Sequence, residues 1–373
     1  MSELNPLQKL RTLGQSPWLD FIQKSFVADG SLKKLIDEDD LRGLTSNPAI
    51  FEKAIASSEE YDAHIRELDA DKPERTATQV FTELALADIR EAADLFAAVH
   101  ASDNDDGMVS LEVSPALAHD TEGTLAEARA LHAALGKPNA MIKVPGTEAG
   151  VKAFEELTAE GISVNVTLLF SVARYQAIAA AWIKGLERRL AAGKSISEIS
   201  SVASFFISRV DAAVDAELAQ LGGLMVETLQ GQTAIANAKL AYGHYQNLFN
   251  SEAWAKLAAA GAKPQRLLWA STSPKDPKLA ATYYVEALIG PHTVNTLPPA
   301  TLAAYRENGK PQATLADNLA QAHEHVESIA SMGINLDSIT AKLEKDGVDS
   351  FIASFENLLQ VIDKKRASLK KST

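Results

Sequence analysis

Residues 139–170 read "NAMIKVPGTEAGVKAFEELTAEGISVNVTLLF", and this stretch decides the fold. Its first part, "AMIKVP", is a short apolar run that ends at a proline and a glycine, which is typical of a β-strand. "EAGVKAFEELTAEG" follows with a helical pattern and a closing glycine. "ISVNVTLLF" is a second strand. A strand, a helix and a strand in this order predict two parallel strands joined by a helix.

The same alternation extends along the chain in both directions. Helical stretches separate the strands, the longest at about 53–103, 171–192 and 211–262. We predict eight strands, at 16–22, 41–47, 107–115, 139–147, 162–170, 199–210, 265–272 and 291–298. This order predicts an α/β fold, a (β/α)8 TIM barrel with additional helices. We expect one domain over 1–373, with a helical insertion around 211–262 and C-terminal helices over 299–373. The alternative is an open, doubly wound sheet.

The composition excludes several classes of function. A net charge of −13 argues against a nucleic-acid partner, although a local basic pocket for a small phosphate remains compatible with it. The chain has no cysteine, which excludes disulfides and thiolate catalysis. The N-terminal residues lack the apolar segment of a secretory signal, and no run of apolar residues is long enough to span a membrane. We therefore expect a cytoplasmic protein.

Lys143 stands in the middle of a predicted strand, where an unpaired charge is costly to bury. Because strand side chains alternate, Ile142 and Val144 face away from it. Four other predicted strands show the same division between an apolar and a polar face. In a barrel the polar face points toward the C-terminal mouth, where active sites of this fold lie. A solvent-facing antiparallel strand has the same alternation, but five strands followed by helices fit it poorly. We predict one site from these residues: Asp20, Asn47, Glu112, Lys143, Asn165 and Thr167.

These side chains suggest covalent chemistry. A desolvated amine such as that of Lys143 is less readily protonated, and a neutral amine can add to a carbonyl to form a Schiff base. The imine accepts electrons when a neighbouring carbon–carbon bond breaks. Asp20 and Glu112 are candidates for moving the protons, while Asn47 and Asn165 could hold substrate hydroxyls. A lone buried lysine is more often a salt-bridge partner than a catalyst, so the hypothesis depends on these companions.

One family carries these motifs together. "IKVPGTEAGVKAFEELTAEGISVNVTLLFS" (142–171) strongly resembles the active-site block of the transaldolases, a class I Schiff-base aldolase family. "GLTSNPAIFEKAI" (43–55), "VSLEVSP" (109–115) and "SFFISRVD" (204–211) resemble its other motifs, in the same order. "LLWASTSPKDP" and "HTVNTLP" are most similar to its bacterial branch with longer chains. The resemblance covers nearly the whole chain.

The resemblance implies catalytic roles for four residues. Lys143 matches the Schiff-base lysine on a (β/α)8 barrel. Asp20 matches the aspartate that takes a proton from the C4 hydroxyl of the donor. Glu112 matches the glutamate that relays protons through a water molecule, and Thr167 is similar to the threonine that positions this water.

It also implies a substrate-binding set. Asn47 and Asn165 resemble the asparagines that hold the dihydroxyacetone unit, and Ser204 and Arg209 resemble residues near the hydroxyls and the phosphate. Ser271 matches as well. Some members carry a second arginine two residues later, where this chain has a serine. Lys275 is our candidate for the missing cation. A lysine carries a point charge and lacks the paired donors with which an arginine binds a phosphate through two hydrogen bonds.

The implied reaction moves dihydroxyacetone from sedoheptulose 7-phosphate or fructose 6-phosphate to glyceraldehyde 3-phosphate or erythrose 4-phosphate, in the non-oxidative pentose phosphate pathway. It needs no cofactor and no metal; His323 and His325 are two residues apart on a predicted helix and do not face one ion. We expect sugar-phosphate partners, neither nucleic acid nor membrane, and a homodimer or a monomer. Two alternatives remain: a lysine-dependent aldolase that releases dihydroxyacetone to water, and a non-catalytic sugar-phosphate binder.

Overall fold

The strands of this protein form a closed parallel barrel. The computed structural model describes residues 4–103 and 105–371, apart from the side chains of residues 224 and 225. Each strand pairs in parallel with the next, and the eighth pairs with the first. The predicted barrel is confirmed, because an open sheet would leave these two strands unpaired. The strands are β1 (Gln15–Asp20), β2 (Gly43–Thr45), β3 (Met108–Glu112), β4 (Ala140–Pro145), β5 (Val164–Leu169), β6 (Ser201–Phe206), β7 (Arg266–Ala270) and β8 (Thr293–Leu297).

Helices surround the barrel. They are α1 (Pro6–Thr12), α2 (Lys24–Ala28), α3 (Ser31–Asp39), α4 (Pro48–Ala56), α5 (Asp62–Asp71), α6 (Ala77–Leu95), α7 (Ala97–Ser102), α8 (Thr121–Leu135), α9 (Glu148–Glu160), α10 (Val172–Ala191), α11 (Ser208–Leu221), α12 (Leu224–Leu229), α13 (Thr233–Phe249), α14 (Glu252–Ala259), α15 (Tyr283–Ala287), α16 (Pro299–Asn308), α17 (Leu319–Ser331) and α18 (Leu336–Lys371). Over the described ranges, no helix is both long enough and apolar enough to cross a membrane.

The predicted strands are correct in number and place but too long at their ends. The strand predicted over 41–47 shows why. Its ladder ends at Thr45, and Asn47 already caps α4 by accepting a hydrogen bond from the backbone N–H of Ile50. Pro48 then occupies the first helical position, where its missing N–H costs nothing. In the same way, the strand predicted over 199–210 ends at Phe206, because Ser208 begins α11.

The two longest predicted helical stretches each contain several shorter helices. The stretch predicted around 53–103 contains α4 to α7, and the one predicted around 211–262 contains α11 to α14. The helix that follows β4 agrees with its prediction to within one residue.

Local chemistry explains how the unit of β4, α9 and β5 forms. Thr147 caps α9 by accepting a hydrogen bond from the N–H of Gly150. A Cβ atom at Gly150 would lie 1.8 Å from the carbonyl oxygen of Pro145, so only glycine allows the helix to begin this close to the strand. Gly161 ends α9 in the left-handed conformation, with φ of +98°. These features return the chain to β5 beside β4.

The hydrophobic core lies between the barrel and the helices. Ile142 and Val144 are fully buried on the outer face of β4, as the alternation predicts. In the helical layer, the ring of Phe154 on α9 stacks on Trp182 of α10 with 6.0 Å between centroids. The inner face of the strands is thereby left for polar side chains, which meet inside the barrel.

Candidate active site

A cavity of about 650 Å³, including the part open to solvent, lies at the C-terminal mouth of the barrel. Seven of the eight strands, or the loops that follow them, contribute to its wall, as expected for this fold. Eight of the ten predicted site residues line it. They are Asp20, Asn47, Lys143, Thr167, Ser204, Arg209, Ser271 and Lys275.

Lys143 lies at the inner end of this cavity and is almost completely buried. Its Nζ atom is 3.1 Å from Oε2 of Glu112 and donates a hydrogen bond to the backbone oxygen of Ser46, also at 3.1 Å. The register explains the first contact, because Glu112 and Lys143 are paired residues of neighbouring strands and point to the same side. The lysine is therefore directed into the site.

Glu112 is the carboxylate beside Lys143. It is only 8% exposed; its Oε2 pairs with Nζ of Lys143, and its Oε1 has no hydrogen-bond partner among the described residues. It also lines a neighbouring cavity of about 440 Å³ between the barrel and α4, α6, α8 and α18. Burial raises the pKa of Glu112, and the charge of Lys143 opposes this effect only in part. A carboxyl group with a raised pKa can exchange a proton and form a hydrogen bond with a water molecule.

Asp20 is the second carboxylate of the site. Thr45 donates a hydrogen bond from Oγ1 to Oδ1 of Asp20 at 2.8 Å, and the hydroxyl of Thr296 lies 2.7 Å from that of Thr45. Burial raises the pKa of Asp20, while Lys143, the Thr45 hydrogen bond and Arg209 lower it. The threonine fixes the direction of the carboxylate, which suits a group that must accept a proton at one position.

Asn165 is the register partner of Lys143 on the neighbouring strand β5. It is fully buried and is not among the described residues that line the cavity. Its Nδ2 donates to the hydroxyl of Ser110 at 3.1 Å, and its Oδ1 accepts from Ser204 at 2.7 Å. These bonds link Asn165 to Ser204, which lines the cavity wall.

Thr167 and Asn47 retain hydrogen-bonding capacity for a ligand. The hydroxyl of Thr167 is buried and has no partner among the described residues. Just after it, Leu168 adopts a left-handed conformation with φ of +61°, and the register between β5 and β6 shifts. This bulge breaks the predicted alternation at Leu168 but leaves Thr167 facing the cavity. The side-chain oxygen Oδ1 of Asn47 caps α4, so the side-chain nitrogen Nδ2 remains available to donate a hydrogen bond.

The outer part of the cavity carries positive charge. Arg209 is half-buried, with its guanidinium carbon 5.3 Å from the centre of the Phe206 ring, and burial lowers its pKa. Ser271 has φ of +56°, and its carbonyl oxygen accepts a hydrogen bond from the N–H of Ser208 at the start of α11. Lys275 is exposed at the rim. This combination of cations and hydroxyls suits a phosphate group.

Comparisons with known proteins agree with this geometry. The sequence model of the Transaldolase/Fructose-6-phosphate aldolase family matches residues 17–362. The chain belongs to this family. It is 46% identical to the transaldolase of Thiobacillus denitrificans over 363 residues, which cover 96% of this chain and all of the relative. It is 44% identical to transaldolase 2 of a Nostoc species over 375 residues, covering 97% of this chain and 98% of the relative. The transaldolase of Thermobifida fusca is 45% identical, with 98% and 99% covered.

The resemblance to transaldolases that the motifs suggested is thereby confirmed. Thr45, Thr296 and Phe351 also line the cavity and were not among the predicted site residues. Thr45 and Thr296 are inward-facing strand residues, and the alternation of side chains could have indicated them. Phe351 could not have been found in this way. It lies on α18, more than two hundred residues from Lys143 along the chain, yet its ring centre is 5.7 Å from Nζ of Lys143.

Proposed function

We propose that the protein is a transaldolase. It transfers a dihydroxyacetone unit from sedoheptulose 7-phosphate or fructose 6-phosphate to glyceraldehyde 3-phosphate or erythrose 4-phosphate, through a Schiff base on Lys143. The observation that carries this proposal is the buried amine of Lys143, 3.1 Å from Glu112 and lining one cavity with Asp20. Membership of the family supports it.

The first step forms the imine. Nζ of Lys143 adds to the C2 carbonyl of the donor ketose, and the resulting carbinolamine loses its hydroxyl as water. Glu112 supplies the proton for this loss through a bridging water, which its Oε1 atom can bind, since that atom has no partner among the described residues. The free hydroxyl of Thr167 holds the same water in position.

The second step breaks the carbon–carbon bond. Asp20 takes the proton of the C4 hydroxyl, the bond between C3 and C4 breaks, and its electron pair enters an enamine that the nitrogen of Lys143 stabilises. Thr45 keeps Asp20 directed at this proton. The aldose phosphate leaves, an acceptor aldehyde takes its place, and the same steps run in reverse.

The remaining predicted residues bind the substrate. Asn47 and Asn165 hold the hydroxyls of the dihydroxyacetone unit, and Ser204, which donates a hydrogen bond to Asn165, contacts a neighbouring hydroxyl. Arg209, together with Ser271 and Lys275, binds the phosphate at the outer end of the cavity. Since Lys275 is exposed, it contributes less to phosphate affinity than the half-buried Arg209.

We further infer that the protein acts in the cytoplasm, in the non-oxidative pentose phosphate pathway, as a homodimer or a monomer. Its partners are small sugar phosphates, and its chemistry uses no cofactor, because the imine accepts the electrons. We also propose that the chain forms a single barrel domain, in which α11 to α14 and the C-terminal helices are additions.

The test is an incubation with fructose 6-phosphate, with and without erythrose 4-phosphate. A transaldolase forms sedoheptulose 7-phosphate and glyceraldehyde 3-phosphate only when the acceptor is present. Free dihydroxyacetone as the main product, with no need for an acceptor, would instead identify an aldolase. Binding of fructose 6-phosphate without any product would identify a sugar-phosphate binder.

A further inference from the structure

The long C-terminal helix α18 extends over the mouth of the barrel and is fixed on both sides of Phe351. Before it, Glu344 accepts two hydrogen bonds from Arg174 of α10, at 3.0 and 3.2 Å. After it, Lys365 pairs with Asp62 of α5 at 2.9 Å. Arg366, also on α18, pairs with Asp69 of α5. The part of α18 between these ion pairs is therefore held against the helices of the barrel.

This middle part of α18 approaches the end of β5 closely. A Cβ atom at Gly347 would lie 3.0 Å from Leu168, the left-handed residue of the bulge, and 3.6 Å from Phe170. Phe351 is four residues further along and so projects from the same face of the helix. The close approach at Gly347 brings the Phe351 ring down to the cavity.

The Phe351 ring covers the amine of Lys143. Its centre is 5.7 Å from Nζ, a distance suited to an attraction between a cation and an aromatic face. The side chain is 5% exposed and forms part of the cavity wall. The polar groups that surround Lys143, which are Glu112, Ser46 and Asp20, come from other strands and loops. The aromatic ring therefore adds an apolar surface next to the amine.

We propose that Phe351 shields the imine on Lys143 from bulk water and so directs the bound dihydroxyacetone unit to an acceptor aldehyde instead of to hydrolysis. Phe351 is a positioning residue in this reaction, and the proposal rests on the proposed transaldolase function. The C-terminal helix thus affects the outcome of the reaction, although it is far along the sequence from the motifs on the strands.

The side reaction that Phe351 suppresses has a defined course. After cleavage, C3 of the enamine takes a proton from solvent, which gives an iminium ion. The oxygen of a water molecule then adds to C2, and the bond between C2 and the lysine nitrogen breaks. The nitrogen keeps the electron pair and takes up a proton, while the hydroxyl at C2 loses its proton to give the carbonyl. One water is consumed here and one is released when the imine forms, so fructose 6-phosphate yields dihydroxyacetone and glyceraldehyde 3-phosphate.

The test compares the partition between these products. Phe351→Ala is incubated with fructose 6-phosphate and erythrose 4-phosphate, and the ratio of free dihydroxyacetone to sedoheptulose 7-phosphate is measured. We expect this ratio to rise severalfold above that of the unmodified enzyme, because water reaches the imine. Phe351→Val retains part of the apolar volume and disturbs the fold less, so we expect an intermediate rise.

Phe355→Ala is the matched control on the same helix. Phe355 lies four residues after Phe351, lines the second cavity and packs edge-on against Phe81 with 5.5 Å between centroids. Its loss should lower the melting temperature but leave the product ratio unchanged. An unchanged ratio in Phe351→Ala, or in Phe351→Val if the alanine variant does not fold, would overturn the proposal. Absence of transfer in the unmodified protein would instead count against the proposed function itself.

Discussion

The two ends of the barrel each bury a cation beside a carboxylate, but the two pairs are built differently. At the closed N-terminal end, Arg266 begins β7 and donates from Nη1 to Oδ1 of Asp106 at 3.1 Å and to Ser16 at 3.0 Å. Its Nη2 donates to the backbone oxygen of Asp105. Asp106 is fully buried and also accepts from Arg11 at 2.7 Å and from Ser16 at 3.0 Å.

At the C-terminal end, the pair of Lys143 and Glu112 is incomplete. Oε2 of Glu112 has only Lys143 as a partner, at 3.1 Å, Oε1 has none among the described residues, and each side chain borders a cavity. The pKa values reflect this difference. Burial lowers the pKa of Arg266, but the charges of Asp106 and Asp105 outweigh that effect and raise it overall, whereas burial raises the pKa of Glu112 despite the nearby lysine. Removing one partner of a fully bonded buried pair leaves an uncompensated charge, whereas an incomplete pair remains available for chemistry.

Replacing Lys143 should have the largest effect on activity. Lys143→Met removes the nucleophile, so we expect no detectable transfer of dihydroxyacetone. We expect a small change in melting temperature, because methionine preserves the apolar stem and Glu112, whose pKa is already raised, can take up a proton. A coupled assay and thermal unfolding measure the two properties. Turnover within tenfold of the unmodified enzyme would contradict the assignment.

Replacing Arg266 should instead lower the stability of the fold and leave the activity of the folded enzyme nearly unchanged. Arg266→Met leaves Asp106 buried with only part of its positive partners, and breaking such a pair costs about 3–5 kcal/mol of unfolding free energy. Because Arg11 still contacts Asp106, we expect the lower part of this range. Urea unfolding measures it, and the folded fraction should keep near-normal kcat. Equal destabilisation by Arg266→Met and Lys143→Met would remove the distinction between the two ends.

Asp20→Asn should separate the two steps of the reaction. The amide cannot accept the C4 hydroxyl proton, so we expect turnover to fall by about 10²–10⁴-fold, the usual contribution of a general base. Imine formation does not depend on this residue in our mechanism, and reductive trapping of the donor should persist. Near-full turnover in this variant, or loss of trapping, would show that Asp20 has another role.

The smallest effect concerns the pH dependence of Asp20. The hydrogen bond from Thr45 lowers the pKa of Asp20 by favouring its charged form. Thr45→Val should therefore raise that pKa further. Since the base acts when ionised, the acidic limb of the kcat profile should move to higher pH, by about one unit if a charge-assisted hydrogen bond is lost. Thr296→Val, which contacts Thr45 rather than Asp20, should shift the limb less. A shift toward lower pH would contradict this account.

The sequence predicts the barrel and the centre of its site for one physical reason. Side chains alternate along a strand, and the C-terminal ends of parallel strands meet, so Asp20, Glu112 and Lys143 could be assigned to one place. The same rule does not reveal hydrogen-bond partners inside the barrel, such as those that Asn165 makes with Ser110 and Ser204. It also fails where the backbone departs from regular geometry, as at Leu168.

Phe351 illustrates a second limit. Its spacing to Gly347 and Phe355 is that of any helix packed on one face, and no local feature indicates that this face covers the mouth of a barrel. Only the tertiary path of α18, fixed by the ion pairs of Glu344 and Lys365, brings the ring to Lys143. Contacts between distant segments of this kind depend on the assembled fold.

The most direct test of the central claim is reductive trapping. The enzyme is incubated with fructose 6-phosphate and sodium borohydride, and the modified peptide is located by mass spectrometry. We predict one reduced dihydroxyacetone adduct on the peptide that contains Lys143, retained in the control Lys152→Ala, whose side chain is exposed on α9, and absent from Lys143→Met. An adduct on another lysine, or none while transfer continues, would contradict the account.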